Sequence, residues 1–133
     1  MGEAPHKITF AGFRHGHIFD LYALACASPA LKVVAACEEH AETRAEIQAK
    51  GTAAITHDRI EQMLDEVDCD IVATGTYFAG RGPVLIEALA RGKHVIGDKP
   101  LCTSMADLDR IEALAREQNL KVGCMLTLSL IHI

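Results

Sequence analysis

The sequence has no tryptophan, and aromatic residues make up only 5% of its 133 positions. It has no strongly basic run and a formal net charge of -5, which argues against nucleic-acid binding through a cationic face. No apolar stretch reaches the length of a membrane span, because charged residues interrupt the long hydrophobic runs. The N-terminus lacks a secretory signal pattern. These absences predict a cytoplasmic protein with neither a membrane nor a nucleic acid as partner.

Cysteine is present, but in an odd number and without any CxxC spacing. We therefore expect free thiols that behave as small apolar residues in a reducing compartment. A disulfide or a cysteine metal site is the alternative. The five positions are Cys26, Cys37, Cys69, Cys102 and Cys124.

Half of the residues are hydrophobic, and the length suits one domain with its own core. Short aliphatic runs alternate with segments of helical periodicity, which predicts an α/β fold with parallel strands and right-handed crossovers. We expect a doubly wound parallel sheet of six strands, a Rossmann fold, over residues 1–125. The predicted strands are Lys7–Ala11, Leu31–Cys37, Ala53–Ile55, Asp70–Thr74, His94–Gly97 and Lys121–Leu126. The predicted helices are Gly16–Ser28, Ala41–Lys50, Arg59–Asp65, Pro83–Arg91 and Met105–Gln118.

The first strand leads into the turn A-G-F-R-H-G-H-I, residues 11–18. A dinucleotide fold needs a glycine where strand one ends, followed by backbone N–H groups at a helix N-terminus that can bind a pyrophosphate. Gly12 supplies the sharp turn, and we expect Gly16 to let the helix approach the sheet. The G-x-G-x-x-G spacing is not met, because Arg14 and His17 occupy the later glycine positions. The predicted cofactor-binding residues of this turn are Gly12, Phe13, Arg14, His15 and Gly16.

His15 and His17 alternate in this turn and raise the question of a metal pair. The sequence offers no carboxylate cluster beside them, so we predict no metal site. We expect one of the two histidines to pack against the protein and the other to face the cofactor cleft.

Two later turns carry the remaining candidates. Glu38 follows the second strand and is placed to bind the adenosine ribose hydroxyls, where its charge favours NAD over NADP. Lys99 follows the fifth predicted strand and precedes Pro100, in a turn where a cis peptide bond is possible. An ammonium group there can hydrogen-bond a reacting hydroxyl and stabilise negative charge during hydride removal, although a solvated surface lysine is the alternative.

The segment G-K-H-V-I-G-D-K-P-L, residues 92–101, resembles the A-G-K-H-V-x-x-E-K-P signature of the glucose–fructose oxidoreductase, inositol dehydrogenase and MocA family (Gfo/Idh/MocA). The resemblance extends over nearly the whole chain. It implies an N-terminal Rossmann domain that binds NAD(H) or NADP(H), and reversible oxidation of a sugar or polyol hydroxyl. It implies that Lys99 is the catalytic lysine near the nicotinamide, Gly12 the turn glycine and Glu38 the ribose acid.

The sequence also departs from the family pattern. Asp98 replaces the signature glutamate, and in the turn after strand four only Thr76 matches T-P-N-x-x-H. Tyr77, Phe78 and Arg81 stand at the Pro, Asn and His positions. Thr74 and Thr76 complete the predicted cofactor-binding set.

Family members continue into a second domain that carries the substrate pocket and usually the oligomer interface. Residues 126–133 form an apolar, strand-like tail, so we expect a truncated start of that second domain. We also expect a homo-oligomer, and a fragment that is inactive alone. Two functions stay open: the cofactor domain of a sugar or polyol dehydrogenase, or a non-catalytic Rossmann module with weak cofactor affinity. A receiver domain is excluded, because strand one does not end in an acidic pair.

Overall fold

A computed structural model describes residues 4–125 of the chain. Within this range strands and helices alternate almost throughout, with two helices in succession between the second and third strands. The strands are β1 His6–Phe13, β2 Leu31–Cys37, β3 Ile71–Gly75, β4 His94–Asp98 and β5 Val122–Met125. The helices are α1 His17–Ala27, α2 Ala41–Lys50, α3 Ile60–Glu66, α4 Phe78–Ala90 and α5 Met105–Gln118.

The strands form one parallel sheet in the order β2-β1-β3-β4-β5. From β1 the chain first adds a strand on one side and then continues on the other, so the order reverses between β1 and β3. In open parallel sheets the carboxyl ends of the two strands at such a reversal border the ligand crevice. The turns that follow β1 and β3 are therefore the first place to look for a site.

Helices pack on both faces of the sheet, which explains why the strands are almost entirely apolar. Neighbouring residues on one strand enter opposite clusters: Val72 packs on the side of α3, α4 and α5, whereas Ala73 packs on the side of α1 and α2. Phe10 and Phe13 belong to the second cluster and are buried against α1.

The predicted third strand is wrong, and the sheet has five strands among the described residues rather than six. The segment Ala53–Ile55 forms no ladder, and the only pairing nearby is an isolated bridge between Cys37 and His57. Its backbone is held in other ways. The Ala54 N–H donates to the Tyr22 hydroxyl, and the N–H groups of Thr56 and His57 share the Ala36 carbonyl.

Helix α4 begins at Phe78 and not at Pro83 as predicted. The prediction placed the proline at the first helical position, where its missing N–H has no cost. Pro83 instead lies within the second turn of the helix, on its exposed side. The first turn is anchored by the buried side chain of Arg81, and at Gly82 the helix approaches Asp107 so closely that a Cβ would lie 2.5 Å from Oδ2.

No helix in residues 4–125 is both long enough and apolar enough to cross a membrane. The five cysteines are free. The expectation that residues 126–133 begin a second domain lies outside the described residues.

Candidate functional site

The turn after β1 depends on a glycine at residue 12. Gly12 adopts φ +94°, a backbone conformation that residues with a side chain rarely tolerate. A Cβ at this position would lie 2.5 Å from Thr76 Cβ and 2.8 Å from Thr76 Cα. The first turn and the turn after β3 are therefore in contact at the point where the strand order reverses.

The close approach of helix α1 to the sheet is made at Gly75, which sequence reasoning did not single out. A Cβ on Gly75 would lie 2.5 Å from Ile18 Cβ, whereas a Cβ on Gly16 would meet no atom within 4 Å. The expectation that Gly16 permits this approach is therefore wrong. Gly16 is exposed at the start of the helix, and space is open around it.

Backbone N–H groups line the entrance of helix α1, and within the described residues the protein satisfies the first two of them. The Phe13 N–H donates to Glu38 Oε1 at 2.7 Å, and the Arg14 N–H donates to the Gly75 carbonyl at 2.9 Å. In residues 4–125 no protein acceptor bonds the N–H groups of His15, Gly16 and His17. Three consecutive donors are thus left at a helix N-terminus, where the helix dipole also favours an anion.

Glu38 holds the first turn against the loop that follows β2. Its side chain is buried, with a residue exposure of only 1%. One carboxylate oxygen accepts from Phe13, and the other accepts from the His40 N–H at 2.9 Å. Sequence reasoning placed this acid beside the cofactor turn, and the structure brings the two together.

The two threonines after β3 have different surroundings. Thr74 is completely buried, and its hydroxyl donates to the Ala11 carbonyl at 2.6 Å. The same hydroxyl oxygen accepts from the Thr76 N–H at 3.4 Å. Thr74 therefore ties β3 to β1, and Thr76, which is half-buried, is the one that contacts the glycine turn.

Arg81 organises the turn that carries Lys99. Its Nε donates to the Thr76 carbonyl at 2.8 Å, and its Nη1 faces the carbonyls of Asp98, Lys99 and Pro100 at 3.2, 2.7 and 3.1 Å. The residue is 1% exposed. Burial lowers the pKa of the guanidinium, and the nearby Asp98 carboxylate partly opposes this shift. Arg81 stands where the pattern T-P-N-x-x-H has histidine, and its hydrogen bonds support the turn at Lys99–Pro100. The peptide bond between these two residues is cis.

Lys99 follows Asp98, the last residue of β4, whose buried carboxylate contacts the turn after β1. Asp98 is fully buried, and its Oδ1 accepts from the Lys99 N–H at 2.9 Å. Its two oxygens lie 2.6 Å from His15 Nδ1 and 3.4 Å from His17 Nδ1. The end of β4 and the entrance of α1 therefore form one cleft, with the exposed Lys99 beside it.

Sequence reasoning missed the role of Asp98, because the contact joins residues more than eighty positions apart. The available signal was its place at the carboxyl end of a parallel strand, on the same sheet edge as the two histidines. Both histidines contact Asp98, so the expectation that one packs and the other faces the cleft does not describe their arrangement.

An exposed aromatic pair borders the same edge. Tyr77 and Phe78 lie 4.2 Å apart between ring centroids, and both retain more than two-fifths of their surface in solvent. The guanidinium carbon of Arg14 lies 5.5 Å from the centre of the Tyr77 ring. This distance is within the range of a cation–π contact, so the two departures from the family pattern are in contact with each other.

Residues 7–125 match the sequence model of the Gfo/Idh/MocA family, described as an oxidoreductase family with an NAD-binding Rossmann fold. Among curated proteins, the chain is 35% identical over 95 residues to a dTDP-3,4-didehydro-2,6-dideoxy-alpha-D-glucose 3-reductase from Streptomyces violaceoruber. That match covers 71% of this chain and 27% of the relative, so the chain spans little more than a quarter of that protein.

Solved structures share the fold at low sequence identity. The myo-inositol 2-dehydrogenase from Lactobacillus plantarum aligns with a TM-score of 0.76 at 17% identity, over 91% of this chain and 36% of that one. The WlbA dehydrogenase from Bordetella pertussis, solved in complex with NADH and UDP-GlcNAcA, aligns with a TM-score of 0.74 at 22% identity, over 91% of this chain and 37% of that one. The family match over residues 7–125 and the parallel sheet with its glycine turn lead to one assignment: this chain belongs to the Gfo/Idh/MocA oxidoreductase family and contains its NAD-binding Rossmann domain.

Proposed function

We propose that the cleft between the entrance of α1 and Lys99 binds the cofactor for hydride transfer to or from a sugar or polyol hydroxyl. The observation that carries this proposal is the row of three N–H groups, at His15, Gly16 and His17, that have no acceptor in the described protein. They lie at a helix N-terminus beside the reversal of strand order. A pyrophosphate supplies the negatively charged acceptors that these donors lack.

We propose NAD rather than NADP as the cofactor, because of the buried charge at Glu38. Oε1 accepts one hydrogen bond, from the Phe13 N–H, and Oε2 accepts one, from the His40 N–H. A carboxylate can accept about four hydrogen bonds, so about two acceptor positions remain. A ribose 2′-hydroxyl can donate to a carboxylate, whereas a 2′-phosphate is repelled by it.

Lys99 is the proposed catalytic residue. Arg81 fixes its backbone carbonyl, and Asp98 accepts from its N–H, so the turn is held on both sides of the residue. The exposed ammonium group is then free to donate a hydrogen bond to the reacting oxygen and to stabilise the charge that develops there. The names of the relatives refer to sugar nucleotides and to inositol, which supports a polyhydroxylated substrate.

The chain covers between 27% and 37% of the length of these relatives, so turnover is proposed for a longer protein. We propose that a second domain, beyond the described residues, completes the substrate pocket. We also propose that the whole protein is a homo-oligomer. The present chain alone is expected to bind cofactor without turning over substrate, because hydride transfer requires a positioned partner.

Two substitutions at Gly16 test whether its N–H binds cofactor. Gly16 has φ -60° and ψ -36° and follows His15 in a turn closed by Ile18, which is a backbone position that proline accepts. Gly16→Pro removes the N–H, while Gly16→Ala keeps it and adds a methyl group to open space. Calorimetric titration with NADH should show a loss of about tenfold or more for Gly16→Pro, as for one hydrogen bond to a charged group, and little change for Gly16→Ala.

The same titration separates the parts of the proposal. Tighter binding of NADPH than of NADH would contradict the role of Glu38 and leave the pyrophosphate site standing. The absence of measurable binding of either cofactor to the wild-type chain would favour the non-catalytic module. Equal losses for the two Gly16 variants would show that the effect comes from the added bulk and not from the N–H.

A further inference from the structure

The end of β4 and the entrance of α1 bring together two imidazoles and one carboxylate. One ligand atom from each of His15, His17 and Asp98 can be chosen so that all three lie within 4.8 Å of one another. The histidines follow β1 and Asp98 ends β4, two strands that are distant in sequence and separated in the sheet by β3 alone. No carboxylate cluster stands beside the two histidines in the sequence, which is why no metal site was predicted, and the fold brings one carboxylate to them from β4.

Asp98 has the features of a carboxylate that lacks a counter-charge. It is 0% exposed, and its Oδ1 is bonded to the Lys99 N–H and to His17. Its Oδ2 has no hydrogen-bond partner among the described residues. A buried anionic oxygen without a partner carries a large desolvation cost, which a bound cation removes.

The contact with His15 does not satisfy this oxygen. His15 Nδ1 lies 2.6 Å from Asp98 Oδ2, yet the pair does not form a hydrogen bond. The two atoms are within hydrogen-bond distance but outside hydrogen-bond geometry, so Oδ2 has no aligned donor.

Arg81 is a buried cation close enough to interact with Asp98 through charge, but it does not hydrogen-bond the carboxylate. Its hydrogen-bonding nitrogens are directed at backbone carbonyls of Thr76 and of the residue 98–100 turn, not at the Asp98 carboxylate. The carboxylate therefore depends on the two histidines or on an ion between them.

We propose that His15, His17 and Asp98 bind a divalent transition-metal ion, for which Zn²⁺ is the appropriate probe. Two imidazole nitrogens and one carboxylate oxygen form a common zinc ligand set, with a fourth position left for water or another ligand. Ligand atoms at about 2.0–2.2 Å from a tetrahedral metal are about 3.3–3.6 Å apart. The separation of 3.4 Å between His17 Nδ1 and Asp98 Oδ1 matches this value. His15 Nδ1 lies beside the other carboxylate oxygen, Oδ2, and the three ligand atoms lie within 4.8 Å of one another, so the His15 ring must shift to complete a tetrahedral set.

Such an ion would link the α1 entrance to the end of β4 beside Lys99. The proposal does not depend on dinucleotide binding, because its ligands are side chains and the proposed pyrophosphate donors are backbone N–H groups. Metal titration without cofactor and NADH titration without metal therefore test the two proposals separately.

The test is a competition titration of the 133-residue chain with ZnCl₂ and a chromophoric chelator, on the wild type and on His15→Gln, His17→Gln and Asp98→Asn. His6→Gln is the matched control, because His6 Nδ1 also lies near a carboxylate, 3.9 Å from Asp70 Oδ2, but at the opposite edge of the sheet. We expect one equivalent of Zn²⁺ to bind the wild type and the control equally. Binding by the three ligand variants should be weaker by about tenfold or more, since even the loss of a supporting residue costs that much.

Because Asp98 is buried, folding of Asp98→Asn is checked by circular dichroism, and the two histidine variants carry the test if that variant unfolds. Co²⁺ in place of Zn²⁺ reports whether thiolates take part, through the charge-transfer band that cobalt–thiolate sites show. No zinc binding, binding unchanged in both histidine variants, or a stoichiometric cobalt–thiolate band would each overturn the proposal.

Discussion

Replacing Arg81 with lysine keeps the positive charge but removes the planar guanidinium that holds the turn after β4. The wild-type side chain donates from Nε to the Thr76 carbonyl and from Nη1 toward three carbonyls of residues 98–100. A lysine ammonium is a single point of donation and cannot reach both groups at once. At least one set of buried or part-buried carbonyls is therefore left without its charged donor in Arg81→Lys.

The size of the effect follows from the number of bonds lost. Nη1 has two N–H bonds shared among three carbonyls, so the side chain makes about three effective hydrogen bonds from a charged donor. Losing one or two of them at about 1.5–3 kcal/mol each lowers the free energy of unfolding by about 1.5–6 kcal/mol. That is a large part of the total stability of a domain, which is about 5–15 kcal/mol.

Urea unfolding followed by circular dichroism measures this difference. Arg116→Lys is the matched control, because Arg116 is exposed and its side chain pairs, among residues 4–125, only with Glu112 one helical turn away. The same chemical change there should cost less than about 0.5 kcal/mol. If Arg81→Lys were as stable as Arg116→Lys, the carbonyl contacts would not support the turn as described.

Two further predictions concern packing and thiol chemistry. Gly75→Ala places a methyl group 2.5 Å from Ile18 Cβ and should lower the free energy of unfolding by about 1–3 kcal/mol. Gly16→Ala adds its methyl group to open space and should not lower it. Equal urea unfolding midpoints for the two variants would refute the close approach of α1 at Gly75. Burial raises the pKa of Cys37 to about 12, so its thiol stays protonated and unreactive as the pH rises from about 7 to about 9, while the exposed Cys26 is accessible to the reagent. Mass spectrometry after iodoacetamide treatment distinguishes the two sites, and native labelling of Cys37 at the rate of Cys26 would contradict the buried environment.

The parts of the fold that are readable from sequence are those in which one residue pattern meets one physical demand. Strands β1 to β5 are short aliphatic runs because both faces of a parallel sheet are buried, and Gly51 ends α2 in a left-handed conformation. The segment Ala53–Ile55 has the same composition but lies outside the sheet. Ala54 donates to the Tyr22 hydroxyl, and the next residues, Thr56 and His57, donate to the Ala36 carbonyl. No local sequence pattern reveals these hydrogen bonds.

The candidate site was readable only where a single turn carries it. Gly12 and Lys99 stand in local motifs, and Glu38 follows a strand at the spacing that a dinucleotide fold requires. Arg81 and Asp98 act through contacts between separate turns, so their roles depend on the sheet order. In the sequence, Arg81 is only a residue that does not match the T-P-N-x-x-H pattern. In the structure, it is buried and donates a hydrogen bond to the Lys99 carbonyl.

Amide NMR of the ¹⁵N-labelled chain tests most directly whether the open N–H groups at the entrance of α1 receive the cofactor. On titration with NADH, the amide signals of His15, Gly16 and His17 should shift together and saturate, while that of Gly92, at the opposite edge of the sheet, should stay in place. Saturable shifts at Gly92 with none at these three amides would contradict the claim.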